Sequence, residues 1–343
     1  MSHGSPGTTC APVTGIGEVR SGDDLARILA EAADLRDGDV LVVTSKVVSK
    51  AEGRVFRRDR ADAVADETDR VIAVRGTTSI VRTHHGLVMA AAGIDASNTE
   101  PGTIVLLPVD PDASARAIRE RVASNGGPNV AVVVTDTSGR AWRNGQTDIA
   151  IGAAGLQVMH DYEGQTDDYG NLLAVTVPAV ADEIAGAADL VKGKLGRSPA
   201  AVVRGLAGLV LARGEHGPGA RALVRDESHD MFGYGAREAV LLAVHPDPAA
   251  LPGFGHPAPA EQLADALRTT SPAATVRLTP DGFVDVHVPG RPDGAAQRAL
   301  GADEARLVTV AHAMGWRRAA DEDGSDAPVS EVDVRLRFRA PTP

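Results

Sequence analysis

Four lysines set the terms of this chain's chemistry. Among 35 basic residues only Lys46, Lys50, Lys192 and Lys194 are lysines, and they fall in two short strings, SKVVSK (45–50) and KGK (192–194). An ammonium is a compact, strongly hydrated point charge, whereas a guanidinium is a planar fork. The two are not interchangeable where a phosphate is met. A chain that uses Arg elsewhere and clusters its lysines points to phosphate or carboxylate ligands at these positions. Lys192 has a second reading, because a cation in the last turn of a helix ahead of Gly193 is favourable with the helix dipole. Two carboxylates end apolar runs: Asp95 in GIDASN and Asp136 in TDTSGR. Side chains at the carboxyl ends of strands face the crevice where ligands gather. Their oxygens, with the Thr137 hydroxyl, suit a hard divalent cation such as Mg²⁺ or Mn²⁺. Each Asp could equally cap the helix or turn that follows. Between residues 135 and 148, TDTSGRAWRNGQTD is dense in hydrogen-bonding groups. Arg140 and Arg143 can fork around an anionic substrate, and Gly139 and Gly145 let the backbone approach it closely.

Other chemistries are disfavoured. VKGKLG lacks the glycine spacing and the Ser/Thr of a P-loop. No GxSxG elbow occurs, and the single cysteine, Cys10, is poorly placed for nucleophilic work and cannot form an internal disulfide. The ten histidines show no paired ligand spacing.

The elements that must position these residues can be read from periodicity. Leu25, Ile28, Leu29 and Ala32 predict a helix over 21–36, opened by Ser21 and Asp24. VLVVTSK (40–46), TIVLLPVD (103–110), NVAVVVTDT (129–137), LLAVTVPAV (172–180) and PAAVVRG (199–205) read as strands, with a further one near Val71–Val74. Asp110 and Pro111 open a helix, and Ile184, Ala188, Val191 and Leu195 keep helical spacing. This irregular interleaving predicts an α+β fold with a mixed sheet. HPDPAALPGFGHPAPAE (245–261) reads as a connector. Beyond it lie a helix (261–268), a hairpin (275–288) turning at Pro280-Asp281-Gly282, a helix (303–315) and a strand (332–338). The expected organisation is a loose tail over 1–11, a main domain over 12–240, a linker over 241–260 and a small α+β region over 261–343.

At 343 residues the chain has room for about two domains. It is 43% apolar but only 3% aromatic, so its core is built from Val, Leu, Ile and Ala, with little left for base-stacking platforms. A net charge of −11 argues against nucleic acid or an acidic membrane surface. No apolar run is long enough to span a membrane, and MSHGSPGTTC has no apolar secretory core. A soluble, cytoplasmic protein is expected.

Taken in order, VLVVTSKVVSKAEGR, AAGIDASN, LLPVDPDASA, VVVTDTSGRAWRNGQTDIAIGAAG, YGN, AVADEIAGAADLVKGK and AVVRG resemble the coenzyme F420:L-glutamate ligase family. The resemblance spans residues 12–235 and looks closest to the N-terminal ligase domain of the two-domain actinobacterial enzyme. It implies a GTP-dependent peptide ligase without a P-loop, a homodimer that uses two divalent metals per subunit, with K⁺ as a further candidate ion. Such an enzyme joins L-glutamate to F420-0 and then adds γ-linked glutamates through an acyl phosphate. Ile16, Gly17, Glu18, Val19, Ser45, Lys50 and Asn98 match the family's GTP contacts. Asp95, Asp136 and Thr137 match its metal ligands. The segment holding Lys192 and Lys194 matches a stretch beside the nucleotide and the second metal. The resemblance leaves Arg140 and Arg143 to hold substrate carboxylate or phosphate.

Two departures stand out. The stretch 51–75 is short for the family. The residues after 235 are too few for the flavin domain of the two-domain enzyme and lack its Arg-rich opening, so no flavin is expected. A metal-dependent nucleotide-binding regulator and a phosphatase on the same fold remain alternative readings.

Overall fold

A computed structural model describes residues 7–97, 100–173, 176–194, 196, 198–289, 294–319 and 333–341. The chain divides into two compact units, Met1–Val224 and Arg225–Pro343.

In the first unit the chain runs β1 (Thr9–Val13), α1 (Leu25–Ala32), β2 (Val40–Thr44), α2 (Ser45–Ala51), β3 (Val55–Phe56), α3 (Arg60–Asp66), β4 (Thr68–Arg75), β5 (Thr78–Thr83), β6 (Val88–Ala90), β7 (Ile104–Val105), α4 (Pro111–Ala123), β8 (Ala131–Gly139), β9 (Gln146–Ala154), α5 (Val180–Lys192) and β10 (Ala200–Arg204). Its spine is a five-stranded mixed sheet in the order β1-β10-β2-β8-β9, as the α+β reading anticipates. Only β2 and β8 run parallel, from Val40 beside Ala131 to Thr44 beside Thr135. These two strands are near-continuous runs of Val because both faces are covered. On one face Leu41, Val43, Val132 and Val134 pack with Leu29 of α1 and Ile118 of α4. On the other, Val40, Val42, Ala131 and Val133 pack with Ile184 and Ala188 of α5. A smaller sheet, β4-β5-β6, holds the strand expected near Val71–Val74.

Caps set the helix boundaries. Asp24, not Ser21, caps α1 by accepting from the Arg27 N–H, so the helix starts at Leu25. Asp110 accepts from the Ala113 N–H ahead of Pro111, the expected opening of α4. Two expectations fail. Strand β2 stops at Thr44, and SKVVSK is the helix α2. Where it is described, LLAVTVPAV is not a core strand. It runs extended against residues 160–166, as in Tyr162 N–H to Thr176 C=O, with Leu172 and Val177 exposed. The missing partner of β8 is instead β9, whose Ala- and Gly-rich sequence QTDIAIGAA lacks the β-branched signal of a strand.

Arg119 of α4 stitches this unit together. Its guanidinium is buried with no carboxylate paired to it among the described residues, and burial lowers its pKa. It donates to the carbonyls of Val130, Leu211, Ala212 and Glu215 and to Asn129 Oδ1. Gly155, at φ +72°, makes room for it: a Cβ there would lie 2.0 Å from Arg119 Nε.

In the second unit, α6 (Ala236–Val244) precedes a 3-10 stretch over Pro248–Phe254. Then come α7 (Ala260–Thr270), β11 (Thr275–Leu278), β12 (Val284–Val288), α8 (Gly294–Ala313), β13 (Arg317–Arg318) and β14 (Val334–Arg339). The antiparallel sheet β11-β12-β14-β13 carries a core of Val284, Leu336 and Phe338 against Leu263, Leu267 and Leu307. Trp316 donates its indole N–H to the Ala258 carbonyl, 2.7 Å away. The acidic stretch 321–326 lies outside the described residues. No described helix is long and apolar enough to cross a membrane.

Gly155→Ala combines a left-handed backbone with a clash against a buried guanidinium. It should cost more than about 3 kcal/mol of stability. Gly139→Ala meets nothing within 4 Å and should cost less than about 1 kcal/mol. Urea denaturation of both variants checks the contrast.

Candidate functional site

The site forms where the buried strands run out. Past Val134 the alternation of β8 continues, so successive polar side chains leave on opposite faces of the sheet. Thr135 and Thr137 go to the α5 side and Asp136 to the α2 side. Across the ladder Thr137 is paired with Asp148 of β9, and a register shift between Val134 and Thr135 marks a bulge at the point where the core ends.

On the α5 side the residues lock into a buried network. Lys192, in the last turn of α5, donates to Asp148 Oδ2 at 2.7 Å and to the Thr135 hydroxyl at 2.9 Å. Asp148 also accepts from Thr135 at 2.9 Å and from Thr137 at 3.0 Å. The side chains of Lys192 and Asp148 are only 4% and 5% exposed. Lys192 therefore is not a free helix-end cation. Lys194, just beyond Gly193, donates to Thr137 Oγ1 at 2.9 Å from the solvent side.

On the α2 side, Ser45 opens the helix and donates to Asp136 Oδ1 at 2.9 Å. Among the described residues no cation pairs with Asp136. Burial drives its pKa up to about 6; the Ser45 bond works against that, and the nearby charges of Asp148 and Asp95 add to it. Asp95 lies beside β7 through a two-way backbone bridge to Val105. Lys46, the second residue of α2, meets Asp95 Oδ2 at 2.6 Å and the Ser97 carbonyl at 2.8 Å. Burial works to raise the Asp95 pKa, but the Lys46 and Ser97 hydrogen bonds outweigh it and hold the group below the usual carboxylate range.

The structure thus brings together Ser45, Asp95, Asp136, Thr137, Lys192 and Lys194. At the far end of α2, Lys50 pairs with Glu18 at 2.5 Å, tying the 14–24 loop to the helix. Ile16 and Val19 turn their side chains into the core, which leaves the open Gly17 and the local backbone to face a ligand. Arg140 and Arg143 sit exposed in the β8–β9 turn, Arg140 donating to the Asn144 carbonyl at 3.4 Å. No described contact joins either one to the carboxylates. Asn98 lies outside the described residues. Sequence reasoning passed over Asp148 and Thr135. The signal for them was the threonine–aspartate pattern repeated on both sides of the Arg/Gly turn.

No three His, Cys, Asp or Glu side chains among the described residues converge as a ready-made metal cage. The donor set nevertheless fits a hard divalent cation. Asp136 is a half-buried carboxylate with no cation paired to it among the described residues; Asp95 adds a second carboxylate nearby, and Thr137 a hydroxyl on the other face of the same strand end. Mg²⁺ is commonly held by one or two carboxylates together with substrate phosphates and water.

The family model described as F420-0:Gamma-glutamyl ligase matches residues 15–205. The coenzyme F420:L-glutamate ligase of Methanopyrus kandleri is 42% identical over 250 residues, which cover 67% of this chain and 99% of the relative. That of Archaeoglobus fulgidus is 42% identical over 216 residues, 57% of this chain and 86% of its own. That of Haloarcula marismortui is 40% identical over 253 residues, 66% of this chain and 96% of its own.

The Lys46–Asp95 pair gives a pH test. A carboxylate whose folded pKa lies below its unfolded value of 3.8 stabilises the fold above that pH, and the contribution is lost as pH falls through the folded pKa. In metal-free protein Lys46→Met should raise the Asp95 pKa, read by carboxyl ¹³C NMR. The variant should be less stable than wild type at pH 7, and the gap should close in acid below the unfolded value.

Proposed function

The chain belongs to the F420-0:γ-glutamyl ligase family, and on that premise we propose that it joins L-glutamate to F420-0 at the expense of GTP, through an acyl phosphate, with the reaction centred on Asp136. Coenzyme F420:L-glutamate ligase activity is the family's shared property, and F420-0 and glutamate are its substrates. The observation that carries the site assignment is Asp136: a half-buried carboxylate with no cation paired to it among the described residues, just past a core strand's apolar run, bonded by Ser45 and repelled by Asp148 and Asp95.

In this reading the γ-phosphoryl group of GTP passes to the F420-0 carboxylate, and the glutamate amine then displaces phosphate to form the amide. Every reactant is anionic while the chain is acidic overall, so local positive potential must come from fixed side chains. Lys46, Lys50, Lys192 and Lys194 supply it, each anchored by a hydrogen bond or ion pair rather than free to wander. Ser45, the backbone around Gly17, the Glu18–Lys50 pair and Asn98 are the proposed GTP contacts. Asp95, Asp136 and Thr137 would hold Mg²⁺ or Mn²⁺, two ions by the family pattern, with K⁺ as a further candidate. When bound, such a cation polarises phosphoryl oxygens and offsets the charge that develops on them. Arg140 and Arg143, on the exposed turn, would reach substrate carboxylate or phosphate only when substrate bridges to them. We place catalysis in the first unit and propose homodimerisation of the chain. The residues past 235 are assigned no flavin and no step of the reaction.

Purified protein incubated with F420-0, glutamate, GTP and Mn²⁺ should give a glutamyl adduct and GDP by mass spectrometry. GTP or phosphoester hydrolysis without an adduct would indicate a phosphatase, and binding alone a regulator. Asp136→Asn should abolish the adduct while changing stability by less than about 1 kcal/mol; activity within tenfold of wild type at saturating metal would overturn the assignment. A chain ending at Val224, where the first unit closes, should fold and still attach at least one glutamate. Soluble but inactive protein would place essential residues in the second unit.

A further inference from the structure

We propose that Asp148, braced by Lys192, is a positioning residue for the transfer reaction: it accepts the hydrogen bond of the Thr137 hydroxyl, so that Thr137 turns only lone pairs toward the cation-binding side of the site. This rests on the reading of Asp136 and Thr137 as the cation-binding edge.

A buried ion pair is costly to assemble, and replacing one by apolar residues is often neutral or stabilising. The Asp148–Lys192 pair, almost wholly buried, is therefore poorly explained by stability alone. Its geometry supplies another reason. A threonine hydroxyl has one proton and two acceptor lone pairs. Asp148 Oδ1 lies 3.0 Å from Thr137 Oγ1 and, as a carboxylate, can only accept. The proton is thereby committed to the interior. On its outer side the same oxygen already accepts from an ammonium, that of Lys194 at 2.9 Å, so its lone pairs face cationic partners.

The second oxygen of Asp148 is fixed as firmly. Lys192 and the Thr135 hydroxyl both donate to Oδ2, and Lys192 donates to Thr135 as well. Lys192 thus gives Asp148 a countercharge and fixes the orientation of its carboxylate. Because Thr137 and Asp148 are cross-strand partners, the arrangement is built into the register of β8 and β9. An amide at position 148 could instead donate to Thr137 and turn the hydroxyl proton outward, where it would oppose a cation.

The test is Mn²⁺ binding to the full chain by electron paramagnetic resonance, with steady-state kinetics alongside. Asp148→Asn is paired with Lys192→Gln, so that no lone charge is left buried. Loss of a residue that orients a metal ligand typically weakens metal binding by about 10–100-fold, and that is the expected change, with kcat lowered and the KM for glutamate unchanged. In a Thr137→Val background the paired substitution should add almost nothing, whereas Thr137→Ser should keep wild-type affinity. A folded paired variant that binds Mn²⁺ like wild type overturns the proposal. So does a full loss that persists in the Thr137→Val background, since Asp148 would then act by another route. If the paired variant does not fold, Asp148→Glu, which keeps the charge and displaces the carboxylate, is read the same way. Wild type that binds no Mn²⁺ at all would overturn the cation reading itself, and this inference with it.

Discussion

Everything in the first unit depends on two parallel strands being buried on both faces. Strands β2 and β8 have no solvent side along residues 40–43 and 131–134, so their side chains there are all apolar and polar ones enter only beyond. Where they end, hydration, charge and hydrogen bonding enter together within two or three residues. Ser45, Lys46, Asp136 and Thr137 are the residues that emerge. Neighbouring strands of one register thus deliver side chains from distant parts of the chain to one edge of one sheet. Rigid backbone fixes them there, as a site that must stabilise developing charge requires.

The sheet edge also divides the labour between its two faces. On the α5 face a lysine, an aspartate and two threonines satisfy one another out of water. On the α2 face the Asp136 carboxylate has the Ser45 hydroxyl and the Thr137 backbone N–H as donors, no paired cation among the described residues, and the repulsion of two further acids. One face is electrostatically settled and the other is not. A half-buried carboxylate with no paired cation is where a metal ion gains most by binding, because part of its dehydration has already occurred on folding. Lys46 limits the instability by neutralising Asp95, so the negative charge is concentrated on Asp136 rather than spread along the edge.

Much of this was legible in the sequence, and the gaps have physical causes. The valine runs at 40–43 and 131–134 announce buried strands, and the abrupt polar residues after them announce the site. Lysine economy singled out four residues, of which Lys46, Lys192 and Lys194 are held by Asp95, Asp148 and Thr137 at the sheet edge and Lys50 by Glu18 at the far end of α2. Strand β9 was hidden because its residues are small: Ala, Gly and Ile pack against helices, where close approach matters more than β-branching. With β9 went Asp148, whose importance lies wholly in its cross-strand partner. The 172–180 run misled for the converse reason, since Leu172 and Val177 lie exposed on an extended segment and Val180 already belongs to α5. The start of α2 at Ser45 was concealed because a helix that follows a strand without a loop leaves no turn residues to mark the change.

The order of strands carries a consequence for biosynthesis. Strand β10, the last of the five in sequence, lies between β1 and β2, the first two. As the nascent chain leaves the ribosome, β1 has no neighbour in the sheet until Arg204 has emerged to pair with Thr9. The exposed edge of β2 must wait equally long. Long-range pairing of this kind slows folding and leaves strand edges open meanwhile. The growing chain therefore carries β1 unpaired and one edge of the apolar β2 open through most of the synthesis of its first unit, and the sheet closes late. The time taken to translate from Thr44 to Ala200 sets how long those edges stay open.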